Sequence, residues 1–175
     1  MRALVVFESM FTNTEKVAHA VADGLRAGGC TAVEVVRVDR APTTVPDDVD
    51  LVFVGGPTHA FGMSRPSSRE EAVHQGAEEV PTTFGIREWV GEVHAQAHVR
   101  FAAFDTRIDK VRHLPGSAAH QASRLLRRRG FRLASGPTSY FVTSTTGPLV
   151  EDQTERAAQW AETVARTLVA TGAAR

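Results

Sequence analysis

Three stretches hold the residues whose types and spacing suit ligand chemistry: Ser9-Met10-Phe11-Thr12-Asn13-Thr14, Gly55-Gly56-Pro57-Thr58-His59-Ala60-Phe61-Gly62-Met63 and Asp105-Thr106-Arg107. The first is rich in hydroxyls and runs into a helical pattern. Free backbone N–H groups at a helix start, backed by the helix dipole, favour a phosphate, and hydroxyls can add bonds to it. Thr12-Asn13-Thr14-Glu15 also reads as a capping box, so plain helix capping is an alternative use of the same residues. The stretch lacks the Gly-Lys-Ser/Thr of an NTPase loop and the G-x-G-x-x-G of a dinucleotide fingerprint. In the second stretch, glycines and a proline surround His59 and Phe61, and a planar ring could lie against them. The alternative is a surface turn with Phe61 and Met63 tucked into the core.

The elements that must position these stretches follow from hydropathy. Ala3–Phe7 and Leu51–Val54 are unbroken apolar runs, as expected of strands buried on both faces. Ala32–Val38 and Val99–Phe104 are two more strands. Phe131–Ala134 and Ser139–Thr143 read as a fifth strand broken at Gly136-Pro137. Helices are expected from Asn13 to about Arg26, from Ser67, after Gly85, over Ser117–Arg129 and from Pro148. Ser67-Ser68-Arg69-Glu70 has the reciprocal capping pattern. Residues 39–50 are too short and proline-rich for a full helix. Strands alternating with helices imply right-handed crossovers and a parallel sheet. The expectation is one domain over residues 1–175, three-layered and doubly wound. Ligands of such sheets bind beyond the carboxyl ends of the strands, where the three stretches fall.

Composition narrows the function. Apolar residues make up 42% and charged residues 23% of 175, with a formal net charge of zero. That is ordinary for a globular protein, and it carries no basic excess for nucleic acid. No apolar run approaches a membrane span, and Ala3–Phe7 is too short for a leader, so a cytoplasmic location is expected. Cys30 is the sole cysteine, which leaves no disulfide framework and no thiolate metal site. His94 and His98 stand four apart with no obvious third ligand, so no metal is expected. Arg127-Arg128-Arg129 complements a helix dipole. A G-x-S-x-G elbow is absent, and Gly55-Gly56-Pro57 stands where a phospho-receiver would need its aspartate.

The order of elements, "Ser-Met-Phe-x-Asn-Thr-Glu" at residues 9–15 and "Gly-Pro-Thr-His-Ala-Phe-Gly-Met" at 56–63 resemble the flavodoxin superfamily, over nearly the whole chain. The second stretch is also similar to that of flavodoxin-like quinone reductases. The resemblance implies a five-stranded parallel sheet in order 2-1-3-4-5 with FMN at its edge. Ser9, Met10, Phe11, Thr12, Asn13 and Thr14 then wrap the phosphate, with Thr12 where the family has glycine. Pro57, Thr58, His59, Ala60, Phe61 and Gly62 flank the ring, and Asp105, Thr106 and Arg107 begin the other flanking loop. The function implied is that of a flavoprotein, an electron-transfer protein or small oxidoreductase. The alternatives are an NAD(P)H:quinone reductase and a cofactor-less binding or regulatory domain. The expected partner is a redox protein or a small quinone-like acceptor. The flavin would carry the redox chemistry, so no catalytic side chain is assigned.

Overall fold

The computed structural model describes residues 1–78 and 80–172. Strand β1 (Arg2–Phe7) runs in a parallel sheet between β2 (Ala32–Arg37), at one edge, and β3 (Leu51–His59), at the centre. Beyond β3 runs β5 (Arg100–Ile108), and on its far side β6 (Arg132–Leu133) and β7 (Thr138–Val142) pair with it one after the other. A two-residue strand, β4 (Gly62–Met63), turns back antiparallel on the end of β3. The sheet therefore has seven strands. The expected sheet of five strands in order 2-1-3-4-5 is thus corrected to seven: the parallel order is β2-β1-β3-β5, with β6 and β7 both pairing with β5 because the edge strand is split. Proline has no N–H for the ladder, and the edge strand is interrupted at Gly136-Pro137 as the sequence suggests.

Side-chain alternation builds two cores. Val5, Phe7, Leu51, Phe53 and Phe104 face α1 (Asn13–Ala27) and α5 (Gln153–Ala170). Leu4, Val6, Val52, Val54 and Phe101 face α3 (Ile86–Glu92) and α4 (Ala118–Arg128). Every one of these side chains is buried, which is why the strands read as continuous apolar runs. Helix α1 presents Val17, Val21 and Leu25 inward at four-residue spacing. It crosses α5 at Gly24, where a Cβ would stand 2.0 Å from the Ala158 carbonyl oxygen, so the two backbones meet only because the side chain is absent.

Several boundaries differ from expectation. Strand β5 continues past Phe104 to Ile108, because Asp105, Thr106 and Arg107 pair with Ser139, Tyr140 and Phe141 of β7. Likewise β3 continues through Gly55–His59, and Gly56 and Pro57 pair with Asp105 and Thr106. Helix α2 (Pro66–His74) starts one residue before Ser67, with Ser68 Oγ accepting the Arg65 N–H at 2.8 Å. Pro148 does not open the last helix. Its carbonyl accepts the Thr143 N–H, Leu149 bridges Val142, and α5 begins at Gln153. Residues 39–50 carry no helix.

Candidate functional site

The first stretch becomes the entry to α1. Thr12 sits at the N-cap with φ 61°, in the left-handed region, and its side chain makes no cap hydrogen bond. The capping-box alternative therefore fails at its first member. Ser9 Oγ instead accepts the Glu15 N–H at 3.3 Å. Among the described residues, the N–H groups of Phe11, Thr12, Asn13 and Thr14 have no protein acceptor. Asn13 and Thr14 are nevertheless buried. Unmet N–H groups at a helix start can hold an anion.

Phe11, Asn13 and Thr14 line a cavity of about 220 Å³ at the carboxyl ends of β1, β3 and β5. Ser9, Met10, Phe11, Asn13 and Thr14 form one wall, and Pro57, Thr58, His59 and Ala60 form the opposite one. Thr106, Arg107 and Ile108 line it from β5, and Val142 and Thr145 close it from the end of β7. Asn13 Nδ2 donates to the Thr146 carbonyl at 3.1 Å, which clamps the start of α1 to residues 143–147. Val142, Thr145 and Ile108 were missed by sequence reasoning. A third hydroxyl-rich run, Ser144-Thr145-Thr146, was the signal for this last wall.

At the other wall the chain reverses through Ala60 (φ 44°) and Phe61 (φ 66°), a two-residue hairpin turn with both residues left-handed. Positive φ at two side-chain-bearing residues is strained, and such strain gathers at ligand sites. Phe61 is 53% exposed at the tip while Met63 is buried, so only one of the two tucks into the core. His59 Nε2 is buried with no hydrogen-bond partner. Burial, and then the Arg69 cation, hold the His59 pKa below its usual value.

Strand alternation separates the residues of the third stretch. Thr106 faces α1, its hydroxyl 2.7 Å from that of Thr14. Asp105 faces α4 instead: it is wholly buried, and its Oδ2 accepts the Ala119 N–H at 2.8 Å. Burial raises its pKa. Asp105 therefore stands under the start of α4 and does not line the cavity. Thr12, Phe61 and Gly62 also lie outside its lining, the last two at a neighbouring cavity. Arg107 lines the cavity, is buried, and donates to the carbonyls of Val111 and Leu114 at 2.9 and 3.0 Å. Its Nε has no partner.

Behind the hairpin lies an ionic cluster that sequence reasoning did not anticipate. Glu8, Ser64 and Arg69 are all buried. Ser64 Oγ stands 2.6 and 2.8 Å from the Glu8 carboxylate oxygens, the Ile86 N–H donates to Glu8 at 2.8 Å, and Arg69 donates to Ser64 Oγ at 2.9 Å. Glu88 pairs with Arg69 at 3.1 Å. Burial raises the Glu8 pKa against these bonds, whereas at Glu88 burial is outweighed by Arg69 and the Gly85 N–H, and its pKa falls. A charged residue on a short helix gives no local sign of total burial.

Among the described residues, no three His, Cys, Asp or Glu side chains gather as a metal site, and no helix is long and apolar enough to cross a membrane. A family model described as flavodoxin matches residues 5–105. An NAD(P)H dehydrogenase (quinone) of Archaeoglobus fulgidus is 37% identical over 92 residues, which cover 49% of this chain and 44% of that protein. The match thus spans less than half of that relative's length. Oxidised flavodoxin 1 of Bacillus cereus superposes with a TM-score of 0.65 at 15% identity, over 94% of this chain and 97% of that one. A flavodoxin from the domain Archaea superposes with a TM-score of 0.62 at 15% identity, over 97% and 99%.

Proposed function

The chain belongs to the flavodoxin family, and from that premise we propose that it is a redox protein that binds FMN in the 220 Å³ cavity. The observation that carries this reading is the run of four N–H groups from Phe11 to Thr14 without a protein acceptor, at a helix start whose Asn13 and Thr14 are buried and line, with Ser9 and Phe11, a cavity that Pro57–Ala60 also lines. A single terminal phosphate fits the donors, and a planar ring fits the hairpin wall. When bound, FMN supplies the electron-transfer chemistry. The chain's own part is to bind and orient. Ser9 and Thr14 sit beside the phosphate position, Thr106 supports Thr14, and His59 offers a buried, neutral ring nitrogen at the opposite wall.

Within this reading, the resemblance to a quinone-reducing dehydrogenase favours a small oxidoreductase over a pure electron carrier. Titration of the ligand-free protein with riboflavin, FMN and FAD tests the proposal. FMN should bind about a hundredfold more tightly than riboflavin, the size expected of charge-assisted bonds to a phosphate. Riboflavin binding as tightly as FMN would remove the phosphate role from Phe11–Thr14.

A further inference from the structure

A third cavity, about 420 Å³, lies where α4 meets the break between β6 and β7, and it shares no lining residue with the two at the hairpin. Its lining is His120, Ser123, Arg124, Arg127, Arg128 and Pro137, with no carboxylate among the described residues. Helical spacing puts Arg124, Arg127 and Arg128 on one stripe of α4. All three side chains are exposed, and among the described residues none of their guanidiniums has a hydrogen bond or ion pair. Complementing the helix dipole accounts for Arg127 and Arg128 in the last turn, but not for Arg124 a turn earlier. Like charges three and four residues apart repel, so Arg124 works against its own helix unless a negative charge stands among the three.

Ser123 is an independent sign of a ligand. It is 3% exposed, it lines the same cavity, and its Oγ is buried with no hydrogen-bond partner. A serine in a helix ordinarily returns its hydroxyl to the carbonyl one turn back or points it to water, and this one does neither. A buried hydroxyl without a partner costs stability, and a ligand oxygen in the cavity would meet it. Guanidinium forks match phosphate oxygens two at a time, and the volume is that of a small-ligand site. We propose that this cavity binds a small phosphate-bearing ligand, with Arg124, Arg127 and Arg128 gripping its oxygens and Ser123 Oγ donating from the buried side. A diphosphate suits the set better than a single phosphate, because three cations carry more charge than one phosphate balances. No residue of this set belongs to the proposed flavin cavity, so FMN binding and phosphate binding here stand or fall separately.

The test is a titration of the full chain with sodium pyrophosphate, followed through its amide resonances by NMR. Resonances of residues 120–128 and of Thr138 should shift and saturate together. Shifts confined to Phe11–Thr14 would place the anion at the start of α1 alone and overturn the proposal. Arg124→Glu should weaken binding at α4 by about tenfold or more, the loss of one charge-assisted bond. Arg124 is exposed and without a partner among the described residues, so the change does not threaten folding. Ser123→Ala should weaken binding severalfold while raising the denaturation midpoint, since it removes an unmet hydroxyl and alanine is the better helix former. A serine with a structural role alone would move the midpoint and not the affinity. Unchanged affinity in either variant overturns the proposal. So does a single-stranded oligonucleotide that shifts the same resonances with an affinity rising with its length, which would give the arginines to a polynucleotide backbone instead.

Discussion

Thr14 Oγ1 lies 2.7 Å from Thr106 Oγ1, a buried hydroxyl pair that ties the start of α1 to the end of β5. Thr106→Val keeps the shape and leaves the Thr14 hydroxyl unmet. It should cost about 1 kcal/mol in urea denaturation and weaken FMN severalfold in titration. Unchanged affinity would show that the pair only stiffens the fold.

Thr12 adopts φ 61° without using its hydroxyl as a cap. Thr12→Gly should therefore stabilise the protein by about 0.5–1 kcal/mol, the left-handed penalty less the added freedom of the unfolded chain. FMN binding should hold or tighten. Destabilisation in the denaturation midpoint would return the residue to a capping role.

Arg107 is buried at the cavity and holds two carbonyls of the segment that follows β5. Arg107→Ala should loosen residues 109–114, seen as faster proteolysis there. With FMN bound, it should also lower the potential for forming the anionic reduced flavin, because a nearby cation favours the charged form. A potential unchanged within error would leave Arg107 as a loop anchor alone.

Burial holds the folded pKa of His59 below its usual value. Its stabilising contribution is complete above that value and is lost as pH falls through it toward the folded pKa, because the unfolded chain takes up the proton first. Stability measured from pH 8 to pH 5 should therefore fall less steeply in His59→Gln than in the parent. Parallel curves would contradict a His59 held neutral by its half-buried setting.

Arg69 is wholly buried against Glu8 and Glu88. Arg69→Leu leaves a buried carboxylate without its cation and should cost about 3–5 kcal/mol in denaturant unfolding. Adding Glu8→Gln should restore part of that loss. Additive losses in the double variant would show that the two side chains do not act together.

The layers of the fold were legible because Ala3–Phe7 and Leu51–Val54 carry unbroken apolar runs, which only a doubly covered strand requires. The ends of β3 and β5 were not legible. Glycine, proline and polar residues there imitate loops, yet the ladder continues because each strand has a neighbour to pair with. The same error concealed that Asp105 and Thr106 must face opposite sides of the sheet. The phosphate wall was readable from its hydroxyls and its place before a helix. Arg69 was not, since its burial depends on Glu8, which lies sixty-one positions earlier in the chain.

The far margin of the sheet has a bearing on how the molecule meets its own copies. A strand arriving from another chain would need a continuous row of unpaired donors and acceptors. Here it finds two residues of β6, then Gly136 and Pro137, then β7, whose Phe141 already gives its N–H to Gln153 Oε1 and its carbonyl to the Val150 N–H. The proline offers no donor, and the two lengths are too short to template an extended ribbon. The break that interrupts the fifth strand thus blunts this margin of the sheet, and mending it with a run of β-formers in place of Gly136-Pro137 would give the margin a longer row to offer.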